Sequence, residues 1–192
     1  MRCHTMKCSV FIATSADGYI ATNDGGVEWL ETAGVADADM SDCADMGFAS
    51  YIASVDCMIM GRKCMEKISS FNLTPEQWPY GDIKIVVLSN TLREAPDNLK
   101  DKVEMYSGDI PDLIEKLESE GHQHAYIDGG TTITAFINLE LINEMTITLA
   151  PVLLGSGKPL FGQMPSAVKL INSQATAYPN GFIQTKYDVS YA

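Results

Sequence analysis

Glycine and basic residues that follow an apolar run could bind a phosphate group. In IMGRKC, residues 59–64, the apolar run ends at Gly61, and the cations Arg62 and Lys63 come next. Backbone N–H groups at a helix start favour an anion, and a guanidinium adds a planar set of donors. This junction is therefore a candidate phosphate site, although glycine followed by two cations is also common at an ordinary solvated helix start.

Two further junctions carry similar chemistry. VVLSNTLR ends an apolar run in Ser89 and Asn90, and YIDGGTTI ends another in Gly129 and Gly130. A residue without a side chain lets a ligand approach the backbone, and the carboxyl ends of sheet strands are where α/β folds bind ligands. Three such ends predict a nucleotide with more than one phosphate. The sequence contains neither G-x-G-x-x-G nor G-x-x-x-x-G-K-[ST], so the common phosphate loops are not used.

The elements that must position these junctions are strands separated by helices. A helix is predicted from Met40 to Ile52, because apolar residues recur there at helical spacing and Asp37 or Asp39 could cap it. Short apolar runs predict strands at 7–14, 55–60, 83–89, 125–128 and 144–154, and two more around the turn PNG at 179–181. This order predicts an α/β sheet that begins parallel and ends in an antiparallel hairpin.

Length and charge limit the classes of function. The chain has 192 residues, of which 46% are hydrophobic, and this predicts one domain, placed at 6–192 with 1–5 as an N-terminal extension. The net charge of -12 opposes general attraction to nucleic acid. No apolar run is long enough to cross a bilayer or to form a signal peptide, so we expect a cytoplasmic protein without a membrane partner.

The cysteines and histidines give no positive sign of a disulfide or a metal. The five cysteines are odd in number and contain no C-x-x-C pair, which favours reduced core residues. His122 and His124 form an H-x-H pair, but no cluster of carboxylates or thiols stands beside it in the sequence. We therefore predict a polar loop before a strand and no metal site.

Several of these segments together resemble a known fold. SVFIATSADGYIA, MGRKCMEKI, IVVLSNT, YIDGGTTI and MTITLAPVLLGSGKPLF occur in the order typical of the dihydrofolate reductase fold. The sequence is most similar to the bacterial branch that includes the C-terminal reductase domain of the bifunctional riboflavin-biosynthesis enzyme. The likeness runs from about Met6 to Phe161. It implies a three-layer α/β fold with a mixed, mainly parallel central sheet, helices on both faces and a C-terminal antiparallel hairpin.

The resemblance also implies NADPH as cofactor and assigns residues to it. Arg62 and Ser89 would hold the 2′-phosphate, and Lys63 would support them. The backbone of Ala13 and Ile20 would bind the nicotinamide carboxamide, although core packing explains these two residues equally well. Cys64 stands where a hydroxyl residue is usual, which leaves only its N–H for phosphate. The full implied set is Ala13, Ile20, Gly61, Arg62, Lys63, Cys64, Ser89, Asn90, Gly129, Gly130 and Thr131.

The resemblance points less clearly to a catalytic acid. Counting back from Gly61, the carboxylate of the folate enzymes falls on Asp45, and a half-buried acid there would have a raised pKa and could relay a proton. Thr148 would orient it. Asp42 is equally near, and a surface carboxylate at a helix boundary remains the alternative.

Two other residues match positions of interest in the fold. Asp17 is a second candidate acid, for which a turn-stabilising role is the simpler interpretation. Trp29 would lie over the active site or serve as a core anchor.

Departures from the family patterns limit the substrate. Asp82 stands where folate enzymes carry an arginine for the folate tail, which argues against folate reduction. The D-D-P-x-L-T run of riboflavin-pathway reductases is absent, and cations for a phosphorylated substrate are not found.

The hypothesis is an NADPH-dependent reductase of a small heterocyclic or carbonyl substrate. We also expect the protein to form a homodimer through a sheet edge provided by the last hairpin and the APVLL strand. The alternatives are a non-catalytic NADPH-binding regulatory protein, and 5-amino-6-(5-phosphoribosylamino)uracil reductase or dihydrofolate reductase proper.

Overall fold

The computed structural model describes residues 5–191, which form ten strands and five α-helices. The strands are β1 (Lys7–Ser15), β2 (Tyr19–Ala21), β3 (Cys57–Gly61), β4 (Lys84–Leu88), β5 (Val103–Tyr106), β6 (His124–Asp128), β7 (Glu144–Ala150), β8 (Lys158–Pro159), β9 (Lys169–Ala177) and β10 (Ile183–Ser190). The helices are α1 (Trp29–Thr32), α2 (Phe48–Ile52), α3 (Arg62–Ser70), α4 (Ile110–Ser119) and α5 (Gly130–Asn138), with a 3-10 turn at Pro75–Gln77.

Eight strands form one sheet in the order β5-β4-β3-β6-β1-β7-β10-β9. Every neighbouring pair from β5 to β7 is parallel, whereas β10 runs antiparallel to both β7 and β9. Strands β2 and β8 form a small antiparallel sheet of their own. The predicted fold class, a mainly parallel α/β sheet that ends in an antiparallel hairpin, is confirmed.

Alternating burial explains why the sheet has helices on both faces. In β3, Cys57 and Ile59 join a core with α4 and α5, whereas Met58 and Met60 join a second core with Met65 of α3. Successive strand residues point to opposite faces, so a strand that is apolar throughout must be covered twice. The central strands, which lead into the three predicted phosphate junctions, are therefore held rigidly from both sides.

The predicted helix from Met40 to Ile52 is wrong in its first half. Residues 41–47 form turns, and α2 begins only at Phe48. Met46 and Gly47 have φ angles of 51° and 86°, which a right-handed helix does not allow. Apolar spacing carries no information about this break.

The prediction that the APVLL segment provides a sheet edge is also wrong. Strand β7 ends at Ala150 and lies between β1 and β10, so both of its sides are already paired. Leu153 follows in a loop with 73% of its surface exposed. The edge strand at this end of the sheet is β9, the first strand of the hairpin.

The N-terminal boundary lies close to the first strand. The backbone N–H groups of Thr5 and Met6 both donate to the Glu118 carboxylate of α4, at 2.6 and 2.8 Å. Thr5 is therefore attached to the domain, and the rest of the predicted extension lies outside the described residues.

Within 5–191, no helix is long and apolar enough to cross a membrane.

The cysteines are free, as predicted, at the four positions that the structure describes. Cys8 and Cys57 are buried in the core, and Cys43 and Cys64 are half-buried; Cys3 lies outside the described residues.

The histidine pair has neighbours that the sequence analysis did not expect. Ligand-type atoms of Asp56, Cys57 and His122 lie within 4.8 Å of one another at the amino end of β3. Burial raises the pKa of the Cys57 thiol, and the nearby Asp56 carboxylate adds to this rise. His124 instead bonds the Ser54 carbonyl and the Ser9 hydroxyl, both at 2.8 Å.

Candidate functional site

A cleft of roughly 1940 Å³ opens over the carboxyl ends of the central strands. Its lining includes Ala13 of β1, Gly61 of β3 and Asp128 of β6. The parallel registers place Met60 beside Asp128 and Gly61 beside Leu88, so these strand ends lie next to one another. The sheet order therefore brings the strand-end junctions at Gly61 and Gly129 to one cleft.

Most of the predicted site residues line this cleft. Those that do are Ala13, Ile20, Asp45, Gly61, Arg62, Lys63, Cys64, Gly129, Gly130, Thr131 and Thr148. Ser89, Asn90 and Asp17 are not among the lining residues.

The end of β4 contributes Leu88 to the cleft, but the polar residues that follow it form hydrogen bonds with nearby residues. The Ser89 hydroxyl accepts N–H bonds from Thr91 and Leu92 at 3.3 and 2.8 Å. The Asn90 side chain accepts a long bond of 3.5 Å from the Ser107 hydroxyl. Of the three predicted phosphate junctions, this is the one whose polar side chains do not line the cleft and bond local partners instead.

The start of α3 lines the cleft with residues 61–64. Gly61 is its extended N-cap residue, and glycine provides no side-chain cap for the first turn. Arg62 lies 3.1 Å from the Glu66 carboxylate, and Lys63, which is 84% exposed, lies 3.8 Å from it. Exposed pairs of this kind contribute little to stability, so both cations can exchange Glu66 for another anion at small cost.

The start of α5 requires both of its glycines for packing. Gly129 has a φ of 93°, and a Cβ atom there would lie 2.5 Å from the Cys64 sulfur. A Cβ atom on Gly130 would lie 2.6 Å from the Pro159 carbonyl oxygen and 2.9 Å from that of Leu160. The glycine pair is therefore explained by the protein's own contacts, while the first turn of α5 has no side-chain cap and adjoins the cleft.

Asp128 is a cleft residue that the sequence analysis missed. It is the last residue of β6, directly before the glycine pair. Burial raises its pKa, although bonds from the Cys64 thiol and the Gly129 N–H oppose that rise. The pattern of an acid that ends an apolar strand before Gly-Gly could have signalled it. A carboxyl with a raised pKa in a cleft is a candidate proton donor.

The expectation of a raised pKa at Asp45 is wrong. Asp45 is exposed, and its carboxylate accepts N–H bonds from Ala49 at 2.8 Å and Gly47 at 3.0 Å. These bonds lower its pKa, and through Ala49 the Asp45 side chain caps the first turn of α2 from two residues before the N-cap residue, Gly47.

Thr148 is buried and makes a different contact from the one expected. Its hydroxyl accepts a bond from the Gln184 amide at 3.0 Å, and the same amide bonds the Met46 carbonyl at 3.0 Å. Thr148 thus supports the cleft wall beside Asp45 through Gln184.

Asp17 is not part of the cleft lining, and its carboxylate stabilises a loop instead. It accepts bonds from the Ser15 hydroxyl at 2.6 Å and from the N–H groups of Gly155 and Leu154 at 2.7 and 3.1 Å. The Ser15 hydroxyl and these backbone bonds lower its pKa. This geometry favours the turn-stabilising interpretation of Asp17.

Four aromatic side chains, those of Phe11, Phe48, Tyr80 and Tyr126, form part of the cleft lining. Phe11 contacts Phe48 edge-on at 5.6 Å between ring centres, and Phe48 contacts Tyr80 at 6.4 Å. The Tyr126 hydroxyl donates to the Phe11 carbonyl at 2.9 Å, which fixes this part of the lining to β1. Trp29 is absent from the lining, and its buried indole N–H has no partner within residues 5–191.

The sheet order and the cleft over its central strand ends define a protein of the dihydrofolate reductase-like α/β class. The family model for the RibD C-terminal domain matches residues 7–184, and the chain belongs to that family. Members of the family are reductases, and the recognition made from sequence is confirmed.

Individual relatives agree with this assignment. The uncharacterised protein YwjB of Bacillus subtilis is 31% identical over 166 residues, which cover 85% of this chain and 87% of the relative. A crystal structure of a protein assigned to riboflavin biosynthesis, from Shewanella sp. PV-4, is 38% identical with a TM-score of 0.85 and covers 97% of this chain and 100% of its own. Dihydrofolate reductase from Enterococcus faecalis, solved with NADP(H), is 14% identical with a TM-score of 0.63 and covers 98% of each chain. This last likeness concerns the fold.

Proposed function

We propose that the chain is an NADPH-dependent reductase of a small heterocyclic or carbonyl substrate. The observation that carries the proposal is the convergence of two helix starts, each with glycine as its N-cap residue, at Gly61 and Gly129, on one cleft with Arg62 and Lys63. Helix starts bind phosphate through free N–H groups and the helix dipole. Family membership supports the reductase class.

The residues present fit a dinucleotide with a 2′-phosphate. The start of α5, at Gly129, Gly130 and Thr131, would hold the pyrophosphate. Arg62 and Lys63 would hold the 2′-phosphate, and Ser89 would contribute only if its turn opened. Backbone groups of Ala13 and Ile20 would orient the nicotinamide, which supplies the hydride when bound.

The reduction also requires a proton, which a side chain of the cleft would donate to the substrate. We assign this role to Asp128, because burial favours its protonated form and its carboxyl lines the cleft. Asp45 is the weaker candidate, since its bonds to backbone N–H groups favour the ionised form. Thr148 would maintain the wall next to the substrate.

The test of cofactor choice is a fluorescence titration with NADPH and NADH. The wild type should bind NADPH more tightly. Arg62→Ala should weaken NADPH binding by about 1–3 kcal/mol, as expected for a charged hydrogen bond, and leave NADH binding unchanged. Lys100→Ala, an exposed cation outside the cleft lining, is the matched control. Equal binding of both dinucleotides by the wild type would contradict the proposal.

A second measurement separates the reductase from the alternative of a non-catalytic NADPH-binding protein. NADPH oxidation is followed with candidate heterocycles and carbonyl compounds. Tight NADPH binding without turnover on any of them would support the regulatory alternative.

A further inference from the structure

A group of three side chains with metal-binding atoms lies at the end of the sheet opposite to the cleft. Ligand-type atoms of Asp56, Cys57 and His122 lie within 4.8 Å of one another. Cys57 begins β3 directly after Asp56, and His122 precedes β6, the strand that pairs with β3. None of the three residues lines the cleft. This cluster is therefore separate from the proposed dinucleotide site and can be tested without it.

Backbone hydrogen bonds already hold the Asp56 carboxylate and the His122 loop in place. The Gln123 N–H donates to Asp56 Oδ2 at 2.8 Å, and the His124 N–H donates to Oδ1 at 3.3 Å. The His122 N–H donates to the Leu117 carbonyl at 3.0 Å. Two ligands from distant parts of the chain are thus positioned by the fold, so that binding a metal requires little further ordering.

The His122 ring lies between two carboxylates. Its Nδ1 atom is 3.4 Å from Asp56 Oδ1, and its Nε2 atom is 3.9 Å from Glu120 Oε2. Two ligand atoms on one tetrahedral zinc ion lie about 3.4–3.8 Å apart, given their usual bond lengths to the metal. A carboxylate beside the other ring nitrogen orients a ligating imidazole and raises its basicity. Nδ1 is therefore the expected ligand atom, and Glu120 lies on the side where the second N–H would point.

The charges around the cluster match a divalent cation. Two nearby carboxylates pair with two lysines, and the four residues are Glu104, Glu120, Lys84 and Lys116. These four charges balance one another, which leaves the carboxylate of Asp56. A thiolate at Cys57 would add a second negative charge, so that the two ligands together neutralise one divalent ion.

Cys57 is the ligand that must change its protonation state. Burial raises the pKa of its thiol, as does the Asp56 carboxylate, while the charge of Lys84 opposes the rise. The thiol is therefore protonated in the metal-free protein. A bound divalent cation reverses this preference, because its charge stabilises the thiolate directly. On binding, the S–H bond breaks, a bond between sulfur and metal forms, and the proton passes to the solvent.

We propose that Asp56, Cys57 and His122 form a binding site for a divalent metal ion of the Zn²⁺ type. Thiolate, imidazole and carboxylate are donors that zinc prefers, whereas magnesium and calcium prefer oxygen alone. Three protein ligands leave a fourth position for water, and 43% of the Asp56 side chain is exposed to solvent. This proposal replaces the prediction of no metal site, which considered only the neighbours of the histidines in the sequence.

The test uses the full chain, freed of metal with a chelator and kept reduced, with Co²⁺ as the probe. Co²⁺ bound by a thiolate gives a near-ultraviolet charge-transfer band that oxygen and nitrogen ligands alone do not give. One equivalent of Co²⁺ should produce the band, and Zn²⁺ should abolish it by displacement, whereas Mg²⁺ should not. Absence of the band in the wild type, or its removal by Mg²⁺, overturns the proposal.

Variants identify the ligands. His122→Ala should weaken Co²⁺ binding by at least about tenfold, as should Glu120→Gln, since the partner of a ligating histidine commonly contributes this much. Cys57→Ser should remove the band; if this core variant does not fold, His122→Ala decides. Cys43→Ser and His124→Gln replace the same residue types outside the cluster and should leave the band and the affinity unchanged. A band of unchanged affinity in His122→Ala, or its loss in Cys43→Ser, overturns the proposal.

Discussion

At the scale of single residues, two carboxylates illustrate how contacts with distant segments decide chemical character. Asp45 is exposed and bonded to backbone N–H groups, which lower its pKa. Asp128 is enclosed beside Cys64, and burial raises its pKa. The sequence analysis placed the candidate acids at Asp45 and Asp17 and missed Asp128, because Cys64 is 64 positions before Asp128 and its position beside the carboxyl depends on the sheet order.

Replacement of Asp128 tests the proton assignment. Asp128→Asn should lower turnover by roughly 10²–10⁴-fold, the usual contribution of a positioned acid, and leave NADPH affinity unchanged. Wild-type turnover should fall as pH rises through the raised pKa, because the protonated carboxyl is lost. Asp45→Asn is the comparison, and a larger loss in that variant would transfer the role to Asp45.

The same residue affects the pH dependence of folding. The pKa of Asp128 is raised in the folded protein above its ordinary value of 3.8, so the folded form binds this proton more tightly than the unfolded chain does. The contribution of this group to the free energy of unfolding therefore declines as pH rises from there through the raised pKa. Denaturant titrations across this window should show a decline in the wild type that Asp128→Asn lacks, and identical slopes would contradict the assignment.

At the scale of elements, strands were predicted better than caps and turns. The apolar run at 55–60 predicted β3 closely, because a strand covered on both faces must be apolar throughout. The stripe from Met40 failed, because the same spacing also occurs in turns that pack on a core. Strand ends were predictable from Gly61 and Gly129, whereas the use of Ser89 in its own turn depends on local backbone geometry that spacing does not reveal.

The capping role of Asp45 gives a prediction for α2. Asp45→Ala should lower the melting temperature by about 3 °C, because two backbone N–H groups lose their acceptor. Asp42→Ala, an exposed acid three positions earlier, is the control and should leave the melting temperature unchanged. Since bonding lowers the pKa of Asp45, its stabilising effect is present above the unfolded pKa and is lost as pH falls through the folded pKa. Equal melting temperatures for both variants would contradict the cap.

At the scale of the whole molecule, the eight-stranded sheet leaves β9 with one unpaired side. All nine residues of β9 are exposed, including the apolar Leu170 and Ile171. Exposed edge strands pair readily with another chain, which supports the homodimer predicted from the hairpin. The contribution expected from APVLL is absent, because β7 lies inside the sheet.

A charge on this edge tests the homodimer. Ile171→Lys should convert a dimer to a monomer in light scattering at micromolar concentration, because a buried charge opposes strand pairing. Leu153→Lys, at an exposed loop leucine away from β9, should leave the mass unchanged. A monomeric wild type would contradict the homodimer.

The contact between β8 and the start of α5 has a consequence for motion. The Leu160 N–H donates to the Gly18 carbonyl at 3.0 Å, β8 pairs with β2, and the Pro159 carbonyl lies against Gly130. Residues 18–21 and the first turn of α5 are therefore joined through one short strand. A ligand that immobilises the first turn of α5 should slow deuterium uptake in residues 19–21 as well, so that occupancy of one side of the cleft is transmitted mechanically to the other.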